Sequence, residues 1–303
     1  MRNTLPEGKA ALSISQAGHE IALHGFLDKA KPYIFIMTDG SGKNRGSRMP
    51  WMHKYFLSVY PEKTLDMYNI IVQGNLQGED RYIKGFQLYR AIILKEVAFF
   101  AHYTGTIAEG LVRHKVDYVV TEAIEGNDPL QDFCALMTEV AVKLVEEKTG
   151  KKIAIYQYHI TEKFNKNVND DSIKIKLSDE SYNAKIKAIA NYHESIFEEF
   201  KANIGMDVDT ILKMKEMPRG ILAVEDVLKS MDAPYFKEEY LTPYQYIDFN
   251  NSDNKPAYET NAEKLVAENI PTEVIGYESH IKPLKDLLEK VALTPKDAAP
   301  AIN

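Results

Sequence analysis

The segment from Ala10 to Met37 constrains the fold most, because two apolar runs flank a stretch with helical spacing. Ala10–Ser15 and Tyr33–Met37 predict buried strands, and Gly18–Ala30 between them carries apolar residues at helical intervals. Strand, helix and strand in this order form the repeating unit of a parallel sheet. The second strand stops abruptly at Thr38-Asp39-Gly40, so the chain is expected to turn into a loop there.

The α/β pattern continues along the chain. Strands are predicted at Asn69–Gln73, Asp117–Thr121 and Ile153–His159, and helices at Met52–Tyr60, Phe86–Glu109, Asp128–Glu147, Ala184–Asn203, Val208–Met214, Val224–Met231, Ala262–Asn269 and Ile281–Val291. We therefore expect an α/β fold with a mostly parallel sheet and a helix-rich C-terminal half packed on it. No linker marks the midpoint, so 1–303 is expected to be one domain, with a sheet core in 1–160, a helical part in 170–293 and a tail in 294–303.

Charge and cysteine content narrow the class of protein. A net charge of −7 argues against a nucleic-acid partner, which usually needs a basic face. A single cysteine, Cys134, excludes an intrachain disulfide. The apolar stretch Ala91–Phe100 is too short to span a bilayer, and Met1–Lys9 has no apolar segment typical of a secretory signal. We expect a cytoplasmic protein without a membrane partner. The oligomeric state stays open, a homo-oligomer included.

Three polar loops follow predicted strands at the edge where open parallel sheets bind ligands. They are Gln16–Glu20, Thr38–Arg48 and Glu122–Asp132. In the second loop, glycines would let backbone amides approach a ligand, and Lys43 and Arg48 could neutralise an anion. A solvated surface loop is the alternative. The position directly after a buried strand favours the ligand loop.

The first and third loops carry groups suited to metal or proton chemistry. His19 and Glu20 could ligate a metal or carry a proton, and a capping carboxylate beside an ordinary helical histidine fits them equally well. His24 shares a helix face with Glu20 but is better explained as structural. The third loop crowds four carboxylates, which can hold a metal or raise the pKa of one of them for acid–base work. They are Glu122, Glu125, Asp128 and Asp132, and Asp128 also fits a helix N-cap.

These loops, in this order, resemble the LmbE/PIG-L family of zinc-dependent sugar de-N-acetylases. Thr38-Asp39-Gly40 matches the family's second strand end, Ser15–Glu20 is set against its His-Pro-Asp-Asp-Glu motif, and Pro129–Asp132 falls where its late histidine belongs. Lys185–Tyr192 resembles its lysine–alanine–tyrosine helix, and Pro256–His280 resembles the end of a divergent branch. The resemblance implies a Rossmann-like three-layer fold, deacetylase-like removal of an acyl group from a sugar-like small molecule, and one divalent metal, zinc.

The resemblance also implies the site residues, carried over position by position. Catalytic roles fall to His19, Glu20, Asp39 and Asp132, substrate contacts to Gly40, Ser41, Lys43, Arg48, Glu125, Asn127 and Gln131, and metal ligation to His19, Gln16 and Asp132. The motif is altered, because the family's metal histidines become Gln16 and Gln131 and its general base becomes Gly18. Glutamine amides are poor zinc ligands and glycine accepts no proton, so a site without metal is the other expectation.

Three functions fit this altered motif. The first is a hydrolase with a non-standard site, acting on an amide (N-acyl) or ester group of a sugar-like molecule. The second is a metal-free or inactive sugar- or nucleotide-binding protein of the same fold, motivated by the missing ligands. The third is a transferase that holds a phosphate-bearing sugar through the Gly/basic loop at Thr38–Arg48.

Overall fold

The computed structural model describes residues 1–41, 46–59, 70–72, 83–193, 196–197, 208–216, 220–231, 233–247, 249, 255–269 and 273–293. Seven strands form one sheet in the order β3-β2-β1-β4-β5-β7-β6. They are β1 (Ala10–Gln16), β2 (Tyr33–Thr38), β3 (Ile70–Val72), β4 (Tyr118–Glu122), β5 (Ala154–Tyr158), β6 (Ile173–Lys176) and β7 (Glu238–Pro243). The first five strands pair in parallel, and β7 pairs antiparallel with both β5 and β6.

Helices connect and cover these strands. A 3-10 helix at His19–Leu23 leads directly into α1, and a π-helical turn at Tyr277–Ile281 leads into the last helix. The α-helices are α1 (His24–Ala30), α2 (Met49–Val59), α3 (Gly85–Ile93), α4 (Val97–Arg113), α5 (Pro129–Thr149), α6 (Asp179–Asn191), α7 (Val208–Lys215), α8 (Gly220–Ser230), α9 (Pro234–Lys237), α10 (Ala257–Ala267) and α11 (Lys282–Leu293). Among the described helices, none has the length and apolar character needed to cross a bilayer.

Two apolar cores lie on opposite faces of the sheet. Alternation along β1 explains the division, since Leu12 and Ile14 join the core beneath α1, α2 and α6 while Ala11 joins the core beneath α3, α4 and α5. Ser13 also faces α5, where its hydroxyl bonds the Thr138 hydroxyl at 2.8 Å. Helices on both faces of a mostly parallel sheet make this the predicted three-layer α/β fold.

The strand order places a switch point at the centre of the sheet. From β1 the chain proceeds to β2 on one side, and it later returns to β4 on the other side. Ligand crevices of open α/β sheets form beyond the strand ends at this kind of reversal. The ends of β1 and β4, at Gln16 and Glu122, therefore frame the natural position for a site.

Several predicted elements differ from the structure. The single helix predicted for Phe86–Glu109 is two helices, broken where Lys95 adopts a left-handed φ of 53°. The helix predicted for Ala184–Asn203 begins at Asp179, where Ser178 caps it, and ends at Asn191. Strands β6 and β7 lie in the half predicted to be helical, so the sheet extends beyond 1–160. Residues 294–303 lie outside the described part of the chain.

Candidate functional site

A buried histidine–carboxylate pair joins the ends of β1 and β4. His19 Nδ1 lies 2.5 Å from a carboxylate oxygen of Glu122, and both side chains are almost fully enclosed, at 2% and 0% exposure. The backbone amide of Ser15 donates to the same carboxylate at 3.1 Å. Burial raises the pKa of the Glu122 carboxyl, and the contact with His19 opposes that rise. Glu122 therefore fixes the orientation of the imidazole through one ring nitrogen.

The second ring nitrogen of His19 faces the side chain of Gln16. The Gln16 amide nitrogen lies 2.8 Å from His19 Nε2, and Gln16 is only partly buried where His19 is enclosed. When Nδ1 carries the proton toward Glu122, the neutral form of the imidazole presents an Nε2 lone pair to which the Gln16 amide can donate. The Gln16 side chain therefore covers Nε2 on the side of the strand ends.

Glu20 holds the first loop in place through two hydrogen bonds. Its two carboxylate oxygens accept from the Tyr192 hydroxyl and from the backbone amide of Gly18, each at 2.6 Å. Burial raises the pKa of Glu20, while the Tyr192 hydrogen bond works in the opposite direction. Glu20 thus ties the 3-10 helix to the end of α6. His24, expected to be structural, bonds the Tyr55 hydroxyl through Nδ1 at 2.8 Å.

The second loop packs tightly against the first. Gly40 has a φ of 71°, and a Cβ there would lie 2.6 Å from the carbonyl oxygen of Ala17. The Asp39 carboxylate accepts the Ser41 amide at 2.9 Å, so it shapes its own loop. Arg48 is completely buried and donates to the Ala17 carbonyl at 3.3 Å. The predicted substrate contact at Lys43 lies outside the described residues.

The third loop uses its predicted site residues to maintain its own conformation. Both oxygens of Asp132 accept backbone amides, from Glu125 at 2.9 Å and from Gly126 at 3.1 Å. Burial raises the pKa of Asp132 well above its ordinary value. The Gln131 amide donates to the Ala123 carbonyl at 3.2 Å and to Glu125 at 3.0 Å. Asp128 caps α5 as predicted, accepting the Leu130 amide.

Glu125 joins the third loop to the chain that follows β5. Its carboxylate accepts from His159 Nδ1 and the Ile160 amide, each at 3.0 Å, and from both the amide and the hydroxyl of Thr161. Burial opposes ionisation, but the His159 and Thr161 hydrogen bonds outweigh it and lower the pKa of Glu125 to about 2. Asn127, which is exposed, donates to the Thr161 hydroxyl at 2.7 Å.

The donor groups do not reproduce the zinc site that the resemblance implies. Gln16 directs its amide nitrogen, which is no metal ligand, at His19 Nε2, so these two residues and Asp132 as arranged do not form a zinc site of the family's kind. Among the residues that the structure describes, the group able to hold a divalent metal is Glu125, His159 and Glu162, whose ligand atoms lie within 4.8 Å of one another.

The sequence places all three loops at one edge of the sheet but does not reveal several contacts among them. Glu122 was one of four crowded carboxylates with no single role, although a glutamate that ends an apolar strand is a detectable signal. The sequence places His159 at the end of a predicted strand and gives it no role in the site. Tyr192 was noted only within a helix, and nothing in the local sequence links it to Glu20, which lies 172 positions away.

Comparisons with known proteins give only distant structural likeness. No protein-family model and no curated protein matches the sequence. A deacetylase triple mutant (Orf2*T) of the teicoplanin biosynthetic pathway is similar over 78% of this chain and 97% of its own, with 10% identity and a TM-score of 0.42. The A40926 pseudoaglycone deacetylase Dbv21 covers 78% of this chain and 98% of its own, with 15% identity and a TM-score of 0.39.

A third solved structure, the zinc-inhibited form of teicoplanin deacetylase Orf2, covers 79% of this chain and 100% of its own, with 9% identity and a TM-score of 0.36. At these identities and TM-scores the likeness does not extend to activity, substrate or site residues. The function has to be argued from the groups at the strand ends.

Proposed function

We propose that this protein is a hydrolase that cleaves an amide (N-acyl) or ester bond of a sugar-like small molecule, with His19 as its general base. The observation that carries the proposal is the His19–Glu122 pair at the switch point of the sheet. A carboxylate that holds one ring nitrogen directs the other nitrogen to accept a proton. The resemblance of the three loops to sugar de-N-acetylases supplies the substrate class.

In this proposal His19 Nε2 takes a proton from the water that attacks the substrate carbonyl. Glu122 stabilises the imidazolium that forms, and the imidazolium then gives its proton to the departing amine or alcohol as the carbon–nitrogen or carbon–oxygen bond breaks. Gln16 moves from Nε2 when substrate enters, and its amide becomes free to bind a substrate oxygen. Ser41 and Asn127, which are not fully buried, are the proposed substrate contacts near the opening.

The remaining predicted residues act in this proposal by positioning. Glu20 holds the 3-10 helix that carries His19, and Asp39 shapes the turn at Gly40. Buried Arg48 bonds the first loop and adds positive charge close to Tyr192. Asp132 and Gln131 fix the third loop. No step requires a metal, because the available donors do not form the family's zinc site.

The test is acyl release from a panel of N-acetyl and O-acetyl amino sugars, followed as free acetate. Wild-type protein is expected to turn over at least one member in the presence of a chelator, and His19→Gln is expected to abolish that turnover. His102→Gln is the matched control, because the exposed His102 lies on α4 away from the strand ends. Activity that chelator removes and zinc restores would contradict the proposed chemistry.

One observation favours the second candidate, a sugar-binding protein without catalysis. His19 is only 2% exposed and its Nε2 already faces Gln16, so the base is closed in this conformation. The same panel distinguishes the candidates. Thermal stabilisation by an amino sugar, without acetate release from any panel member, would support binding alone.

A further inference from the structure

A cavity lies on one helical face of the molecule, apart from the strand-end loops. It has a volume of about 450 Å³ and opens between α2 and α6, with His24 of α1 at one wall. Tyr192 links this cavity to the candidate site, because it lines the cavity while its hydroxyl donates to Glu20 in the first loop. Nothing in the proposed hydrolysis uses this space.

Two matched helical faces build the cavity. From α2 it is lined by Trp51, Lys54, Tyr55 and Ser58, which are spaced as one face of a helix. The facing side of α6 contributes Ala184, Lys187, Ala188 and Asn191 at the same spacing. The two alanines are small, so the helices leave room between them where larger side chains would fill the core.

The walls are aromatic. Tyr55 and Tyr192 approach edge-on with ring centres 6.5 Å apart, and Tyr55 lies 5.8 Å from the His24 ring. Trp51 lies edge-on to His193 at 4.7 Å. Aromatic surfaces of this kind favour flat or apolar ligand groups over strongly hydrated ones.

Positive and hydrogen-bonding groups face the cavity. Lys54 and Lys187 are exposed, and neither forms an ion pair in the described structure. The His24 ring is nearly buried, with Nδ1 bonded to the Tyr55 hydroxyl, and no hydrogen bond links its Nε2 to any residue that the structure describes. No carboxylate belongs to the described lining.

We infer that this cavity binds a small aromatic carboxylate, whose ring lies between Trp51 and Tyr55 and whose charge meets Lys54 and Lys187. The charge pattern selects an anion, and the aromatic walls select its apolar part. The inference is independent of the proposed hydrolysis, because the side chains that would contact the ligand, Trp51, Tyr55 and the two lysines, have no role in that reaction and the test needs no activity.

The chain supplies its own reporter, since Trp51 is the only tryptophan in the sequence. The probe is 3-phenylpropionate, with the uncharged isostere 3-phenylpropionamide as its partner. Trp51 fluorescence is excited at the red edge of its band, where neither probe absorbs. The acid is expected to give a saturable change, and the amide is expected to bind about tenfold more weakly because it lacks the charge.

Variants distinguish binding in this cavity from non-specific binding elsewhere on the protein. Lys54→Gln with Lys187→Gln should reduce affinity for the acid to that for the amide, while Lys148→Gln, at an exposed position on α5, should change neither. Ala184→Leu should fill the opening and weaken binding of both probes. A response that fails to saturate, equal binding of acid and amide, or equal loss in Lys148→Gln would each overturn the inference.

Discussion

Replacing Glu125 with glutamine removes the charge that joins the third loop to the chain after β5. The carboxylate accepts hydrogen bonds from the His159 ring, the Ile160 amide and the Thr161 amide and hydroxyl, and its side chain is fully enclosed. Glutamine has nearly the same shape, but one of its two terminal atoms donates instead of accepting. Half of these donors would then face another donor.

The pKa of Glu125 gives the size of the expected loss in unfolding free energy. Burial alone would raise it, but the His159 and Thr161 hydrogen bonds bring it to about 2, against an ordinary value of 4.5. At roughly 1.36 kcal/mol per pKa unit, this difference favours the folded state by about 3 kcal/mol when the carboxylate is ionised. Glu125→Gln should therefore reduce the free energy of unfolding by about 3 kcal/mol near neutral pH.

The sign of the pH dependence follows from the depressed pKa. The folded protein holds the Glu125 proton less tightly than the unfolded chain, so the contribution is fully present above about pH 4.5 and is lost as pH falls toward 2. The stability difference between wild type and Glu125→Gln should accordingly be largest near neutral pH and should shrink steadily through the acid range.

Urea unfolding at several pH values measures both the loss of unfolding free energy in Glu125→Gln and the change of that loss with pH. Glu146→Gln is the matched control, since Glu146 also accepts a backbone amide, from Ile153, but lies at the surface beside Lys152. Glu146→Gln is expected to lower the free energy of unfolding by less than about 1 kcal/mol. A Glu125→Gln loss no larger than the control's, or a difference that does not shrink on acidification, would refute the reasoning.

Three further predictions rest on other contacts. Gly40→Ala should lower the free energy of unfolding by about 2 kcal/mol, because an alanine there adopts a left-handed φ and clashes with the Ala17 carbonyl. Gly46→Ala, which has open space around it, should lower it far less in the same urea titration. Lys185→Met should cost about 3–5 kcal/mol, because it leaves Glu239 buried without its ion-pair partner at 2.9 Å; a loss below 1 kcal/mol by calorimetry would contradict this. Cys134 should react with a thiol reagent only after denaturant is added, since it is fully buried and burial raises its pKa; modification of the native protein at the rate of free cysteine would count against this.

The central strands were predictable because each is a run of apolar residues buried on both faces. β1, β2 and β4 show this pattern, and the stop at Thr38-Asp39-Gly40 correctly marked a strand end. β6 and β7 were missed because both are short and carry charged residues: Lys174 alternates with isoleucines in the edge strand β6, while β7 begins with Glu238 and Glu239. The break at Lys95 was missed because neither proline nor glycine marks it.

The candidate site was predictable in place but not in its partnerships. Parallel strand ends converge whatever their side chains, so the three loops could be located from the order of elements alone. Which groups meet there depends on contacts across the fold, such as Glu122 with His19, 103 positions apart. Asp132 is a carboxylate in the third loop and was therefore a candidate site residue. Its oxygens instead accept the neighbouring backbone amides of Glu125 and Gly126, and the local sequence does not indicate these hydrogen bonds.

The most direct test of the His19–Glu122 base is the kinetics of Glu122→Gln on the acetylated sugar that wild type turns over. Glutamine keeps the shape but removes the negative charge that stabilises the imidazolium, so kcat should fall by about a hundredfold or more while KM stays near the wild-type value. Tyr246→Phe, at a side chain that bonds Tyr277 and has no role in the proposed reaction, serves as the control for general damage. An unchanged kcat in Glu122→Gln, with the fold intact, would contradict the account.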